Sequence, residues 1–381
     1  MRLRLRGILS AAVTAVLLSL AGTASAAVVG LQDDRLPNSA DPAVIAQRLN
    51  LLAATNTRMT RVDILWSRVA TRRPADPRNP ADPAYNWGVY DQVFRGLAAR
   101  GIGTIVDFAS TPSWASATGK TGAAPRPTDA GLFAGAIARR YSGAFRDADG
   151  LALPRITRIE VWNEPNIAQY WFPQCRRGPR DQYVPVAARQ YAALVAVAAR
   201  EIRAADPTAV VIAGVAGPAG NLTDAGKHCR TGTESVSVST MINTLAVNDV
   251  RVDAWSQHMY PIGSPDQATF FPSWRTINQL NPLLDKLSPG LPVYVTETGY
   301  HTSYNRFHRY FVSEQQQSDW LAQTFDWANR TPRVAATIWF NLQDNPSWTG
   351  GLLRSDLTAK PAWARYADIA RTSKVPQDWL P

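Results

Sequence analysis

The sequence lacks the motifs that mark a metal site or a phosphate-binding site. Its four histidines include no closely spaced pair, neither of its two cysteines lies in a CxxC motif, and there is no glycine-rich phosphate loop or GxSxG elbow. Zinc sites are normally built from closely spaced cysteine and histidine ligands. We therefore expect no metal and no cofactor.

Concentrated positive charge is also absent, although the chain is basic. Its 40 lysines and arginines against 30 acidic residues give a formal net charge of +10 at pH 7. These residues are scattered and form no block of the kind that binds nucleic acid, so we expect no nucleic-acid partner. The charge fits a solvated surface or, alternatively, attraction to anionic cell-wall polymers.

Long apolar runs are missing everywhere except at the N-terminus. Three arginines within the first six residues precede an apolar stretch over 8–20, and a row of small residues ends at Ala26. This pattern predicts a signal peptide, 1–26, followed by a single secreted domain over 27–381. The alternative is a retained membrane anchor, which needs about 20 apolar residues. After cleavage we expect no membrane association, and we expect a monomer.

Strand-like apolar runs alternate with helical patterns along the whole chain. The runs cover 27–33, 59–65, 102–108, 157–163, 209–215, 252–258, 292–297 and 334–340. Eight such repeats predict an α/β fold, a closed (β/α)8 TIM barrel. The connections that follow the strands are long, and those that precede strands are short. Because the loops after the strands build the active site in such barrels, function is expected at that face.

The two cysteines, Cys175 and Cys229, each follow a predicted strand within a loop. An even pair in an exported chain predicts a disulfide, which here would tie two neighbouring loops together. Two free buried thiols are the alternative.

Two acidic motifs close short apolar runs at strand ends. Glu164 lies in WNEP at the end of the fourth predicted strand, and Glu297 lies in TETG at the end of the seventh. Strands four and seven lie on roughly opposite sides of an eight-stranded ring, so their ends can present two carboxylates to one sugar. A pair about 5 Å apart can cleave a glycosidic bond with retention of configuration. Ordinary strand-end glutamates are the alternative.

The segments TRIEVWNEPN and VYVTETGY resemble the acid/base and nucleophile signatures of the clan A glycoside hydrolases, which include families 5 and 39. The resemblance implies that Glu164 is the general acid and base, that Glu297 is the nucleophile and that Asn163 binds the sugar 2-hydroxyl. It implies a retaining hydrolase acting on O-linked, β-configured poly- or oligosaccharides. A transglycosylase with the same residues and a non-catalytic carbohydrate-binding barrel are the alternatives.

The family within the clan and the sugar stay open at this point. The TPSWA stretch over 111–115 resembles families near 39, whereas the pair His258 and Tyr260, with Trp339, is also common in family 5. The chain lacks the histidine that family 5 members typically carry near the end of the third strand.

Other residues are expected to support the two glutamates. Alternation along the sixth strand places His258 and Tyr260 at the top of one face, where the phenol can donate a hydrogen bond to Glu297. A structural role is the alternative for each. Arg61 resembles the arginine that clan members place beneath the nucleophile, where its charge would lower the pKa of Glu297. Asp63, on the same strand face, is its expected partner or a sugar ligand. A surface or structural salt-bridge arginine is the alternative for Arg61.

Tryptophan is abundant, with 13 residues. Flat aromatic faces stack on sugar rings, so tryptophans near the barrel mouth are interpreted as carbohydrate subsites. Six fall beside the ends of strands: Trp66, Trp114, Trp171, Trp274, Trp339 and Trp348. Trp339 matches the aromatic floor that the clan places beneath the cleaved sugar, and Trp114 is also a predicted substrate contact. Core packing is the alternative for any tryptophan.

Overall fold

A computed structural model describes residues 26–116, 118–120, 123–219, 221–267, 271–305 and 308–381. The predicted signal peptide therefore lies outside the described residues, apart from Ala26. Secretion and the domain boundaries stay predictions. No helix in these ranges is long and apolar enough to cross a membrane.

Eight parallel strands form one sheet. They are β1 Val28–Gln32, β2 Met59–Leu65, β3 Gly103–Ala109, β4 Arg158–Glu160, β5 Val210–Ala216, β6 Ala254–Met259, β7 Val293–Thr298 and β8 Val334–Phe340. Their order in the sheet is β1-β8-β7-β6-β5-β4-β3-β2. A small antiparallel hairpin, Arg176–Arg177 with Tyr183–Val184, lies in the loop after β4.

The sheet nearly closes between β1 and β2. The Thr60 hydroxyl donates a hydrogen bond to the Leu31 carbonyl oxygen at 2.7 Å. A Cβ atom on Gly30 would lie 2.7 Å from the Met59 carbonyl oxygen, so the two strands touch. The predicted (β/α)8 barrel is confirmed.

Helices follow the strands and cover the outside of the barrel. They are α1 Pro42–Ala54, α2 Trp66–Val69, α3 Gly88–Ala98, α4 Pro127–Arg140, α5 Val186–Ala205, α6 Val238–Val247, α7 Asn281–Leu284, α8 Glu314–Arg330 and α9 Pro361–Thr372. Short 3-10 turns lie at Leu36–Asn38, Ser113–Ala115, Pro179–Asp181, Ile277–Leu280 and Gln377–Trp379. Local signals start several helices: Asp41 caps α1 just before Pro42, and Ser313 with Gln316 forms a capping box on α8.

The barrel interior is apolar at one end and polar at the other. The apolar end is filled by Val28, Met59, Ile105, Ile212, Ala254, Tyr294, Ala336 and Ile338. Two positions further along β2 and β3, the inward residues are Arg61 and Asp107, and both are fully buried. The C-terminal ends of the strands therefore hold charged groups that hydrophobic packing does not explain.

Candidate active site

The C-terminal ends of the strands open into a cavity of about 910 Å³. Its lining includes Asn163, Glu164, Tyr260 and Glu297. These four residues, all predicted from sequence, therefore face one space, as do the candidates Asp63 and Trp348.

The backbone turns sharply to present Glu164. The predicted fourth strand, 157–163, is shorter in the structure because Trp162 and Glu164 have φ angles of 73° and 42°, outside the strand region. Such angles cost about 1 to 3 kcal/mol each and occur at functional sites. The turn is held by a hydrogen bond from the Glu164 amide to the Val215 carbonyl oxygen at 2.9 Å and by the buried Trp162 indole, which donates to Tyr170 O at 3.1 Å.

Gly217, after β5, leaves the space that Glu164 occupies. A Cβ atom at Gly217 would lie 2.8 Å from the carboxyl carbon of Glu164. The Asn166 side chain fixes this glycine in place: it accepts from the Gly217 amide at 2.7 Å and donates to its carbonyl oxygen at 3.1 Å. Any larger residue here would displace the Glu164 carboxylate.

A bulge in β7 aims Glu297 into the cavity. Ser256 of β6 pairs with Tyr294 of β7, and His258 pairs with Glu297. An advance of two residues along β6 therefore corresponds to an advance of three residues along β7. In a regular strand, Tyr294 and Glu297 would face opposite sides. The extra residue lets Tyr294 face the apolar interior while Glu297 also faces inward.

The two glutamates meet at His258. One carboxylate oxygen of Glu164, one of Glu297 and a His258 ring nitrogen all lie within 4.8 Å of one another. His258 Nδ1 lies 2.9 Å from Glu164 Oε1 and 3.5 Å from Glu297 Oε2. The carboxylate separation matches retaining glycosidases, where it is about 5 Å, and is shorter than the roughly 6.5 to 9.5 Å of inverting ones.

Arg61 lies beneath Glu297, as the resemblance implied. Its Nη1 donates to Glu297 Oε1 at 2.7 Å and its Nη2 to Asn163 Oδ1 at 2.8 Å. The guanidinium also pairs with Asp63, at 3.0 Å, and donates from Nε to Glu160 at 2.6 Å. One buried cation thus fixes the position of both Glu297 and Asn163.

Tyr260 holds the second oxygen of Glu297. Its hydroxyl donates to Glu297 Oε2 at 2.6 Å. Both oxygens of this carboxylate therefore have a donor, which fixes its orientation.

Burial and the neighbouring charges shift the pKa values of Glu297 and His258 in opposite directions. Burial raises the pKa of Glu297 above its usual value, and the charges of His258 and Arg61 offset only part of this rise. The charge of Arg61 lowers the pKa of Glu297, as the sequence analysis expected, but burial outweighs this contribution. Burial alone would lower the pKa of His258, but the charge of Glu297 and the hydrogen bond with Glu164 raise it.

These three groups also form a donor set that a divalent cation could use. Arg61, however, already places a fixed positive charge 2.7 Å from Glu297 Oε1. A second cation would meet strong repulsion there, so we assign no metal to the site.

The structure corrects the prediction for two tryptophans. Trp339 is fully buried, and its indole donates to Gly350 O at 3.2 Å. It cannot form a floor beneath a sugar, because alternation turns its neighbour Phe340 toward the cavity instead. Trp114 is not among the residues that line the cavity; its indole donates to Ala70 O at 2.7 Å.

Of the other four candidates, Trp348 lines the cavity. Its ring packs edge-on against Tyr260, at 4.9 Å, and against Phe340, at 4.8 Å. Trp66, Trp171 and Trp274 are fully buried core residues. Alternation along β8 could have identified Phe340.

Several acidic residues of the site were missed from sequence. Asp34 and Asp107 line the cavity, and Glu160 lies beneath Arg61 at 2.6 Å. An acid inside an apolar run was the available signal, as in GTIVDFA for Asp107 and RIEV for Glu160. Asp34 follows β1 in a loop, where an acid is ordinary.

The predicted disulfide between Cys175 and Cys229 is present. It joins the loop after β4 to the loop after β5, and is called the loop disulfide below. The same two loops carry Glu164 and Gly217, so the bridge ties together the segments that position the Glu164 carboxylate.

No protein-family model matches the chain. A curated relative, a beta-xylosidase of Geobacillus stearothermophilus, is 25% identical over 261 residues, which covers 64% of this chain and 46% of the relative. The chain thus spans about half the length of the curated relative it matches.

Solved structures share the fold. A family 39 glycoside hydrolase of Bacteroides cellulosilyticus WH2 has a TM-score of 0.59 at 21% identity, over 90% of this chain and 63% of that one. A family 39 beta-xylosidase of Caulobacter crescentus has a TM-score of 0.60 at 18% identity, over 91% and 72%. A family 39 enzyme of Xanthomonas axonopodis pv. citri has a TM-score of 0.62 at 18% identity, over 92% and 68%. These structures confirm the fold, and with the curated relative they confirm the resemblance to the clan A glycoside hydrolases.

Proposed function

We propose that the chain is a secreted, retaining glycoside hydrolase acting on β-linked sugars, with Glu164 as the acid and base and Glu297 as the nucleophile. The observation that carries the proposal is that their carboxylate oxygens lie within 4.8 Å of each other. A separation near 5 Å leaves room for a sugar carbon but none for an attacking water beneath it. The matches to glycoside hydrolases support the same chemistry.

In the first step, Glu297 attacks the anomeric carbon of the sugar while Glu164 transfers its proton to the leaving glycosidic oxygen. The carbon-oxygen bond to the leaving group breaks as the bond to Glu297 forms, and the leaving group departs as an alcohol. Arg61 and Tyr260 direct the lone pairs of Glu297 by fixing both of its oxygens.

In the second step, water attacks the same carbon and gives its proton to Glu164, and Glu297 leaves as a carboxylate. Asn163 supports both steps. Its Oδ1 accepts from Arg61, which leaves the amide nitrogen to hydrogen-bond the sugar 2-hydroxyl, a contact that strengthens in oxocarbenium-like transition states.

Azide rescue tests the two assignments. In Glu164→Ala, a dinitrophenyl β-xyloside still forms the covalent intermediate because its leaving group needs no proton, but hydrolysis of that intermediate is slow. Added azide should restore turnover and give the β-glycosyl azide. In Glu297→Ala, azide takes the place of the nucleophile and should give the α-glycosyl azide. The xyloside is chosen because the curated relative is a beta-xylosidase.

The control is Glu314→Ala, which changes a glutamate of α8 that pairs with Arg354 outside the cavity and should leave turnover unchanged. Azide that fails to accelerate either active-site variant would overturn the assignment. Products longer than the substrate would identify transglycosylation by the same residues. Sugar binding with no turnover on a glycoside panel would identify a binding barrel.

Secretion is tested separately from chemistry. Expression of the full chain in a host that exports proteins should yield a protein beginning at Ala27 in the medium. A full-length chain retained in the cells would contradict this part of the proposal.

A further inference from the structure

The side of the cavity next to Glu164 carries apolar side chains. They come from the loops after β4, β5 and β6 and are Ile167, Tyr170, Pro218 and Ile262. We call these four residues the apolar wall. None of them is fully buried: the first three are partly exposed, and Ile262 is 39% exposed. Carbon surface on this side is therefore open to the cavity instead of being packed into the core.

The apolar wall begins at the proposed acid. A Cβ atom on Gly217 would lie 2.2 Å from Ile167 Cδ1 and 2.8 Å from the carboxyl carbon of Glu164, so the Ile167 methyl and the Glu164 carboxyl lie side by side. The Tyr170 amide donates to the Ile167 carbonyl oxygen at 3.1 Å, and the Tyr170 carbonyl oxygen accepts from the Trp162 indole at 3.1 Å. The turn that presents Glu164 therefore also holds the wall.

The charged side chains of the cavity lie mostly away from this wall. Within the described part of the chain, Glu164 is the one charged residue that the loops after β4, β5 and β6 contribute to the lining. The other lining carboxylates and the lining arginine come from β2, β3 and β7 or from the loops after β1 and β7: Asp63, Asp107, Glu297, Asp34 and Arg309. A charged leaving group would therefore lose water at the wall without gaining a partner of opposite charge.

A second sugar is also poorly matched to the apolar wall. Each of its several hydroxyls must keep a hydrogen bond, or it loses free energy on leaving water. The side chains of the aliphatic members, Ile167, Pro218 and Ile262, offer none. The Gln169 amide beside them is exposed, which leaves the Tyr170 hydroxyl. An apolar group, in contrast, gives up no hydrogen bond here and gains free energy from the burial of its carbon surface.

We propose that the apolar wall binds an apolar, non-sugar aglycone, so that the substrates are alkyl or aryl β-glycosides rather than sugar polymers. This rests on the proposed glycosidase function and adds the class of the leaving group. The leaving oxygen takes its proton from Glu164, so the aglycone attached to that oxygen lies on the Glu164 side of the cavity, against the wall. The bonds that form and break are those of the double displacement, and the aglycone departs as a neutral alcohol or phenol.

Ethyl, butyl and hexyl β-xylosides and β-glucosides test the wall without changing the chemistry. Their leaving alcohols have nearly the same pKa, so differences in kcat/KM report how well the enzyme binds the chain. A fully buried methylene raises kcat/KM about fourfold. The hexyl chain is longer than the ethyl chain by several methylenes, so with about half of each one buried, kcat/KM should rise at least about tenfold from ethyl to hexyl. A 2-phenylethyl glycoside cleaved better still would support the proposal with an aromatic aglycone.

Two variants replace carbon surface of the apolar wall by polar groups of similar or smaller size. Ile262→Asn and Ile167→Thr should each lower the hexyl-to-ethyl ratio of kcat/KM at least about threefold. The matched control is Val247→Asn, which changes an 87% exposed residue of α6 and should leave turnover and the ratio unchanged. Melting temperatures show whether each variant folds.

A wild-type hexyl-to-ethyl ratio below about twofold would overturn the proposal, and so would a ratio that neither wall variant lowers. Faster cleavage of xylobiose or cellobiose, together with such a flat alkyl series, would assign this side of the cavity to a second sugar.

Failure of the proposed function would leave this proposal testable. If the wild type cleaves no glycoside, binding of ethyl and hexyl β-glucoside is compared by ligand-observed NMR. Tighter binding of the hexyl glucoside that Ile262→Asn weakens and Val247→Asn does not supports the proposal, and equal binding of the two glucosides overturns it.

Discussion

Replacing Tyr260 by phenylalanine removes one hydroxyl and keeps the packing of the ring. That hydroxyl donates to Glu297 Oε2 at 2.6 Å, and the ring lies edge-on to Trp348 at 4.9 Å. Phenylalanine preserves the ring contact, so the variant tests the hydrogen bond alone. We expect it to fold with a melting temperature close to that of the parent.

The expected fall in kcat/KM can be estimated from the type of hydrogen bond that is removed. A hydrogen bond to a charged group contributes about 1.5 to 3 kcal/mol, and about 1.4 kcal/mol changes a rate tenfold. We therefore expect kcat/KM to fall about 10- to 150-fold near the acidic side of the pH optimum. The contact stabilises the ionised form of Glu297, so its removal raises the pKa of that carboxyl further. Since the proposed nucleophile, Glu297, must attack as a carboxylate, the acidic limb of the pH profile should move to higher pH.

The assay is kcat/KM for a nitrophenyl β-xyloside measured across pH for the parent and Tyr260→Phe. Activity lost at low pH should be partly regained as pH rises, because Glu297 then ionises without the tyrosine. Tyr304→Phe, an exposed tyrosine at 62%, is the control and should match the parent. If the acidic limb does not move and kcat/KM falls less than about threefold, the hydrogen bond from Tyr260 does not stabilise the ionised form of Glu297.

Three further predictions follow from buried contacts. Arg61→Met should lower the free energy of unfolding by about 3 to 5 kcal/mol in urea titration, because it leaves buried carboxylates without their cation; an unchanged midpoint would contradict the charge network. Gly217→Ala should lower kcat at least about tenfold, because its Cβ would lie 2.8 Å from the Glu164 carboxyl carbon. Gly88→Ala is the control: the nearest atom to its Cβ would lie at 3.7 Å, so kcat should not change. Reduction of the loop disulfide, which spans 54 residues, should cost up to about 4 kcal/mol of stability, and equal unfolding curves with and without reductant would contradict its structural role.

The barrel could be predicted because its signals are local. Each strand is a short apolar run, each is followed by a helical pattern, and the long connections fall on one side, so alternation alone leads to a closed parallel sheet. Glu164 and Glu297 could be located because they end strands on opposite sides of the ring. The contact of Arg61 with Glu297 was expected from the family resemblance, and the residue types alone would have left a surface or structural salt bridge equally open.

Other features of the site depend on irregular backbone that periodicity cannot detect. The bulge that turns Glu297 inward and the positive φ angles around Glu164 both break the alternation used to assign faces. At Trp339, by contrast, alternation holds and was not applied. Counting from Ile338, it would have placed Trp339 outside the barrel interior and Phe340 inside it. Tryptophan fills cores as well as sugar subsites, so its type alone cannot decide between them. Asp34 lines the cavity because of the conformation of the loop after β1, which the sequence pattern does not predict.

The configuration of the first sugar released shows most directly whether the chain acts by double displacement. Proton NMR during early hydrolysis of a β-glycoside by the mature chain distinguishes the β anomer from the α anomer before they interconvert. Carboxylate oxygens within 4.8 Å of each other predict retention, so the β anomer should appear first. Initial release of the α anomer would contradict the account, because inversion requires a water between carboxylates that are farther apart.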